Sequence, residues 1–220
     1  MKFLKLALVV GLLSLGSTAQ AALVARDAGM VYDDVLDVTW APANLWGQTG
    51  TWDQAVAWAA GLSYAGFEDW RLASMSVAAG LPTGATDTVV DCDGAGVTEA
   101  QCRDNELGYM YYYNLTPAGD TPPTDVLTDL TGDQGPFTDI QSLYWSGTEL
   151  ASNSNGAWGF YFGNGDPDAF DKGNVNFAAW AVRAGDVAAD VAAAPLPGTA
   201  VLLALGLLAM GASRQKRRAT

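Results

Sequence analysis

Thr51-Trp52-Asp53-Gln54-Ala55-Val56-Ala57-Trp58-Ala59-Ala60-Gly61-Leu62 is the stretch on which the fold turns. Its first four residues read as a capping box, in which the threonine side chain meets the N3 amide and Gln54 reaches back. Trp52, Ala55, Val56, Ala59 and Leu62 then recur at helical spacing, which predicts an amphipathic helix over Trp52–Leu62. Asp53 suits the positive end of its dipole. Upstream, Gly29-Met30-Val31-Tyr32-Asp33 and Val38-Thr39-Trp40 read as a hairpin around the acidic turn residues Asp33, Asp34 and Asp37. Downstream, Asp69-Trp70-Arg71-Leu72 should begin a strand, and residues 74–104 are irregular. Glu106 to Leu115 predicts a second helix with Leu107, Met110, Tyr111 and Asn114 along one side. Pro117 to Gly135 is a loop. Leu143–Thr148, Ala157–Phe162 and Phe177–Arg183 then read as strands separated by Asn/Gly/Asp turns. Helices first and an antiparallel sheet later make an α+β fold with long loops, and loops of that length usually carry function.

Composition narrows the function classes. The chain has 220 residues, 11 basic, 24 acidic and no histidine, for a formal charge of −13. A nucleic-acid binder needs a basic face, so that class is excluded. Without histidine there is no Ser-His-Asp or Cys-His machinery and no His-ligated zinc. Half of the residues are hydrophobic and eight are tryptophan, which argues against disorder. No repeat of solenoid or propeller length is evident.

The two ends are addresses rather than core. Residues 1–21 read as a secretory signal peptide: Lys2 and Lys5, an apolar run through Val9 to Leu15, and Ala19-Gln20-Ala21 at the cleavage positions. Between Asp190 and Arg214 there are 23 uncharged residues, and the apolar part at about 198–213 is near the roughly 20 residues that span a bilayer core. Arg214, Lys216, Arg217 and Arg218 follow, and the positive-inside rule holds them in the cytoplasm, with the preceding domain outside the inner membrane. Residues 187–194 form an Ala/Val linker, leaving 22–186 as one domain. Between Ala22 and Ala194 five basic residues stand against all 24 acidic ones, a net of −19. Such a domain repels anionic polymers unless divalent cations intervene, which favours neutral glycans or calcium-bridged ligands.

The tail resembles the PEP-CTERM sorting signal of Gram-negative bacteria, with Pro195-Leu196-Pro197 ahead of the apolar helix and the basic cluster. Leucine stands where that motif usually carries glutamate. The resemblance implies recognition by an exosortase-type processing enzyme and delivery to the periplasm, cell surface or exopolysaccharide matrix; a plain C-terminal membrane anchor is the alternative.

Five ordered motifs carry a second resemblance: Tyr32-Asp33-Asp34-Val35-Leu36-Asp37-Val38-Thr39-Trp40, Thr51-Trp52-Asp53-Gln54-Ala55, Asp69-Trp70-Arg71-Leu72, Tyr144-Trp145-Ser146-Gly147-Thr148 and Ala179-Trp180-Ala181-Val182-Arg183. Together they resemble the Lcl C-terminal-like domain family, a domain of unknown function. Ala73 replaces the proline that commonly closes the third motif. The resemblance implies a C-type-lectin-like fold, close termini and long loops on one face. By analogy with that fold, and with acidic, aromatic loops, the chain is expected to bind extracellular polysaccharide or other surface components through its loop face without catalysis. The alternative is an enzyme, either a carboxylate-pair glycan hydrolase or a relative of formylglycine-generating enzymes.

Individual side chains sort into structural and ligand candidates. Trp52, Asp69, Trp70, Arg71, Trp145, Trp180 and Arg183 read as structural signature residues, with Arg71 paired to Asp69 or Glu68, because a half-buried arginine needs a carboxylate. Cys92 and Cys102, the only cysteines, are expected to form a disulfide in an exported chain, contributing about 2–3 kcal/mol. Asp91, Asp93, Gly96 and Glu99 fall at positions 1, 3, 6 and 9 of an EF-hand-like loop, although Cys102 occupies position 12. Asn164-Gly165-Asp166-Pro167-Asp168, with Asp171 and Asn174, is a second oxygen-rich stretch; it suits calcium or simply a turn. Of Tyr111-Tyr112-Tyr113 at most two can be core on an α-helix, so one, taken as Tyr112, should reach the surface as a sugar-stacking candidate.

Overall fold

The structure is a computed structural model, and it describes residues 23–75, 86–87 (backbone), 91–94, 96–116 and 129–188. The signal peptide, most of the linker, the Pro195-Leu196-Pro197 motif, the apolar stretch and the basic cluster lie outside the described residues. Among the described residues no helix is long and apolar enough to cross a membrane.

The opening hairpin forms because Asp33 closes it. Its buried carboxylate accepts the amides of Val35 and Leu36, each at 3.0 Å, and the side-chain amide of Asn114 at 2.7 Å. Burial pushes this carboxyl up, against the pull of those three donors. Strand β1 (Leu23–Ala25) pairs with β2 (Val31–Asp33), and β2 pairs with β3 (Val38–Trp40) in a register that sets Val31 opposite Trp40.

Helix α1 (Trp52–Ala60) has the expected capping box and ends at Ala60, two residues before Leu62, with Gly61 as its C-cap. Its indole at Trp52 donates to the Ser146 carbonyl at 2.8 Å, fixing the helix to the second sheet. After β4 (Arg71–Leu72) and β5 (Thr86–Asp87) comes a short helix, α2 (Glu99–Cys102), in a region whose sequence reads as irregular. It begins on a second capping box, Thr98 with Gln101. A Cys92–Cys102 disulfide, with Cα atoms 5.1 Å apart, ties its end back to residue 92. Helix α3 (Glu106–Tyr109) then widens into a π-helix over Met110–Leu115, where the Thr116 amide reaches the Tyr111 carbonyl.

The strands that follow are β6 (Gly132–Gln134), β7 (Phe137–Ile140), β8 (Leu143–Leu150), β9 (Gly156–Tyr161), β10 (Pro167–Asp171), β11 (Ala178–Ala179) and β12 (Ala181–Ala184). Two five-stranded sheets result. The first has the order β1-β2-β3-β12-β4, antiparallel throughout. The second has the order β10-β9-β8-β11, with β11 and β5 both running parallel to β8. The fold is therefore α+β with mainly antiparallel sheets and few helices. The last strand lies between β3 and β4, so the chain leaves the domain beside its entrance, and Arg26 meets Asp186 there at 2.6 Å.

Trp180, fully buried, is the centre of the main core: its ring lies 4.9 Å from Trp40, 4.9 Å from Phe137, 5.2 Å from Tyr144 and 5.7 Å from Phe162. Its N–H donates to the Ala41 carbonyl at 2.7 Å, and Trp145 likewise donates to Gly50 at 2.9 Å, so neither indole leaves a donor stranded. Trp70 is buried in a smaller cluster with Met30, Ala41 and Ala181. Arg71 departs from expectation. Its guanidinium binds Glu106 in a fork, at 2.7 and 2.6 Å, instead of Asp69 or Glu68. Asp69 instead holds Arg183, and the Arg183 pair lowers the Asp69 carboxyl. Pairing of β4 with β12 sets Arg71 opposite Val182, which brings the next residue, Arg183, alongside Asp69.

Glu106 is fully buried and also accepts the Ser74 amide at 2.6 Å. Removing it strands a largely buried guanidinium and an amide together. Glu106→Ala should lower stability by about 3–5 kcal/mol, whereas Arg103→Ala, which breaks the exposed pair with Glu99, should cost about 1 kcal/mol or less. Urea denaturation of the two variants beside wild type checks the contrast.

Candidate functional site

The structure rearranges the acidic candidates. Glu99 turns away from Asp91 and Asp93: it binds Arg103 at 2.7 Å and accepts the Tyr109 hydroxyl at 2.8 Å. The EF-hand-like set is thereby split. The second stretch is split too. Asp168 and Asp171 lie exposed on β10, where their carboxylates accept the amides of Ala169 and Gly173, and Asp166 sits in the preceding turn. Gly165 makes that turn at φ +82°, and a Cβ there would stand 2.6 Å from both the Tyr111 ring and the Tyr112 hydroxyl. Tyr112 is half-buried, donates to the Gly165 carbonyl at 3.1 Å and has its hydroxyl pushed up mainly by burial. None of the three tyrosines is exposed, because the π-helix turns Tyr111 into the core and leaves Tyr112 and Tyr113 half-covered.

Asp91 and Asp93 hydrogen-bond to one another, and the Asp166 charge adds to their repulsion, so the Asp91 carboxyl is raised to about 6. Yet among the described residues no three acidic or sulfur side chains form a group that could hold a metal ion.

A cleft of about 200 Å³ lies elsewhere, between the segment after β3 and the turn from β7 to β8. One wall is the loop Ala43–Thr49. Gly47, at φ +64°, returns the chain so that its amide meets the Asn44 carbonyl at 2.8 Å. Trp46 stacks on Trp58 of α1, with ring centroids 5.6 Å apart and planes 27° apart. Its outer edge rests on Gly50, where a Cβ would come within 2.6 Å of the ring. The tryptophan is thus wedged between a helix and a bare backbone.

The opposite wall is Asp139 and Gln141. Asp139 holds a left-handed conformation at φ +56°; its amide donates to Asp133 at 3.0 Å, and its carboxylate accepts the Asn44 side-chain amide at 3.0 Å. Gln141 donates to the Asp139 carbonyl at 2.8 Å. The buried Tyr144 hydroxyl joins the walls, donating to Ala43 at 3.0 Å and accepting the Gln141 amide at 2.7 Å. Ala178 and Ala179 make the floor, and the exposed Gln48 and Thr49 stand at the rim. An indole beside several uncharged donors and acceptors, in a concave site, is a small-molecule arrangement.

The sequence reading passed over Asn44, Trp46, Gln48, Asp139 and Gln141. The available signal was Asn44-Leu45-Trp46-Gly47-Gln48-Thr49-Gly50, a tryptophan set among amides and glycines in a connecting loop.

All five basic residues of the domain are engaged. Arg26 pairs with Asp186, Arg71 with Glu106, Arg103 with Glu99, Lys172 with Glu149 and Arg183 with Asp69, at 2.6 to 2.8 Å.

A model of the family described as the Lcl C-terminal domain matches residues 29–183, an interval that contains the hairpin, both sheets' central strands and the whole cleft. No curated protein and no solved structure matches the chain.

The Asp91–Asp93 pair gives a signed pH effect. The folded Asp91 carboxyl keeps its proton to about pH 6, whereas its ordinary value is 3.8. The folded state therefore binds more protons across that window, and this pair's contribution to stability falls as pH rises through it. Asp93→Asn should return the Asp91 titration toward the ordinary carboxylate range and flatten that part of the stability profile. Carboxyl-carbon NMR titration of the two proteins reads the shift directly.

Proposed function

The chain belongs to the Lcl C-terminal domain family, and we propose that it is an exported, non-catalytic protein that binds neutral extracellular polysaccharide through the cleft around Trp46. The observation that carries this reading is chemical. The cleft is lined by the Trp46 ring, uncharged amide and hydroxyl groups and the Asp139 carboxylate, and no cation of the domain is left over for an anionic ligand. A net charge of −19 over residues 22–194 would itself repel sulfated or phosphorylated chains.

The finer features belong to the same proposal. A domain with two five-stranded sheets, a β6–β7 pair and adjoining ends suits the C-type-lectin-like architecture that the five motifs imply. Its export rests on the signal-peptide pattern of residues 1–21. Sorting to the surface or matrix of a Gram-negative cell, by an exosortase-type enzyme and through the inner membrane, rests on Pro195-Leu196-Pro197, the apolar stretch and the basic tail. A glycosidase reading finds less support. Its two carboxylates stand roughly 5–9.5 Å apart across the scissile bond, whereas Asp91 and Asp93 are hydrogen-bonded to each other.

Calcium is not required by this arrangement. The full-length chain, solubilised in detergent, is expected to be retained on immobilised neutral polysaccharide equally with calcium and with EDTA. Loss of retention in EDTA would return calcium to the site. Absence of binding to every polysaccharide tested, with turnover of one of them, would favour the enzyme alternative.

A further inference from the structure

We infer that the cleft accepts one uncharged pyranose ring laid on Trp46, and that Asp139 is the group that rejects uronic acids. This rests on the polysaccharide-binding reading above and goes beyond it in naming the unit recognised and the residue that selects it.

Size sets the unit. A volume of about 200 Å³ falls below the roughly 300–1,000 Å³ of pockets that take drug-sized ligands. One sugar ring fits; a run of several does not. The site therefore reads a chain end or a branch residue.

Orientation follows from the walls. Trp46 is backed by Trp58 and braced on Gly50, so its ring cannot turn aside when a sugar face is laid against it. The hydroxyls of a stacked ring point outward in its plane, where Asn44, Gln48, Thr49 and Gln141 offer amides and a hydroxyl from both sides. Neutral donors and acceptors of this kind suit hydroxyl groups, which both give and accept hydrogen bonds.

Selection against charge follows from Asp139. Its carboxylate lines the cleft and, among the described residues, accepts one amide, that of Asn44, and each cation of the domain is paired elsewhere. A uronate in the same cleft would bring a second carboxylate to the first with no counterion, and like charges so placed oppose binding.

The test uses the full-length chain and methyl glycosides of glucose, galactose and mannose beside those of glucuronic and galacturonic acid. Each competes against immobilised neutral polysaccharide. A neutral methyl glycoside is expected to compete within a few-fold of the corresponding tetrasaccharide on a molar basis, and the uronides are expected to be weaker. Trp46→Ala should weaken neutral binding about tenfold or more, as the loss of a buried aromatic anchor does. Asp139→Asn should raise the ratio of uronide to neutral-glycoside competition about tenfold. Asparagine tolerates the left-handed backbone of position 139, so this variant keeps the turn.

If wild type binds polysaccharide but prefers uronides, or if Asp139→Asn leaves the ratio unchanged, the selection inference is wrong and the binding reading survives. If tetrasaccharides bind far better than single glycosides, the one-ring assignment fails. If no polysaccharide binds at all, the proposed function itself falls.

Discussion

Five cations hold together a domain that carries nineteen more negative charges than positive ones, and the fold depends on where they are placed. Four of the five join segments distant in the chain: Arg26 to Asp186 across the domain's two ends, Arg183 on β12 to Asp69, Lys172 to Glu149, and Arg71 to Glu106. The last is the most deeply buried and governs the most structure. Glu106 also takes the Ser74 amide, so one carboxylate fixes the exit of β4, the start of α3 and, through α3, the disulfide-closed segment. Its two charges compensate each other in a place where either alone would be costly. The exposed Arg103–Glu99 pair does little by comparison.

Most of the core tryptophans follow a parallel rule. Trp52, Trp70, Trp145 and Trp180 each donate their N–H to a carbonyl, whereas the buried N–H groups of Trp40 and Trp158 meet no acceptor among the described residues. Where there is a carbonyl, it belongs to a neighbouring strand or turn, so each tryptophan so paired acts as a hydrogen-bonded rivet as well as apolar mass. Trp46 is different. It is only partly buried, packs on the cluster of Trp52, Ala55 and Trp145 from outside, stacks on Trp58 and lines a cleft. What separates a core tryptophan from a cleft-lining one here is the seat of the ring, not its sequence neighbours.

That distinction explains what could be read in advance. The hairpin and α1 were legible because their determinants are local: Asp33 with Val35 and Leu36, Thr51 with Gln54. The identity of Trp70 and Arg183 as buried residues was legible from their chemistry. The partner of Arg71 was not, since sequence proximity points to Asp69 while strand register gives Asp69 to Arg183. The stretch Asp166–Asp171 read as an oxygen-rich loop, yet Pro167–Asp171 is a strand, because Phe170 packs on Trp145 and Phe177 and draws the segment onto β9. One apolar side chain outweighs the turn propensity of its polar neighbours. The tyrosine triplet obeyed π-helical and not α-helical spacing, which removed the surface position that the 100° rule assigns.

The cleft was beyond such reading for a geometric reason. Its walls are separated by about ninety residues of chain, and they are joined by the Tyr144 hydroxyl, which hydrogen-bonds to both, and by the Asn44–Asp139 hydrogen bond. That hydroxyl belongs to the same ring that packs at 5.2 Å from Trp180 at the centre of the core. The width of the cleft is therefore set by core packing and not by loop preference. A site held in this way loses little conformational freedom when a ligand enters, which matters most for a small ligand with few contacts. In the proposed role, preorganisation by Tyr144, Gly50 and Trp58 would let a one-ring cleft be useful, and it would tie binding to the same packed interior that gives the domain its shape.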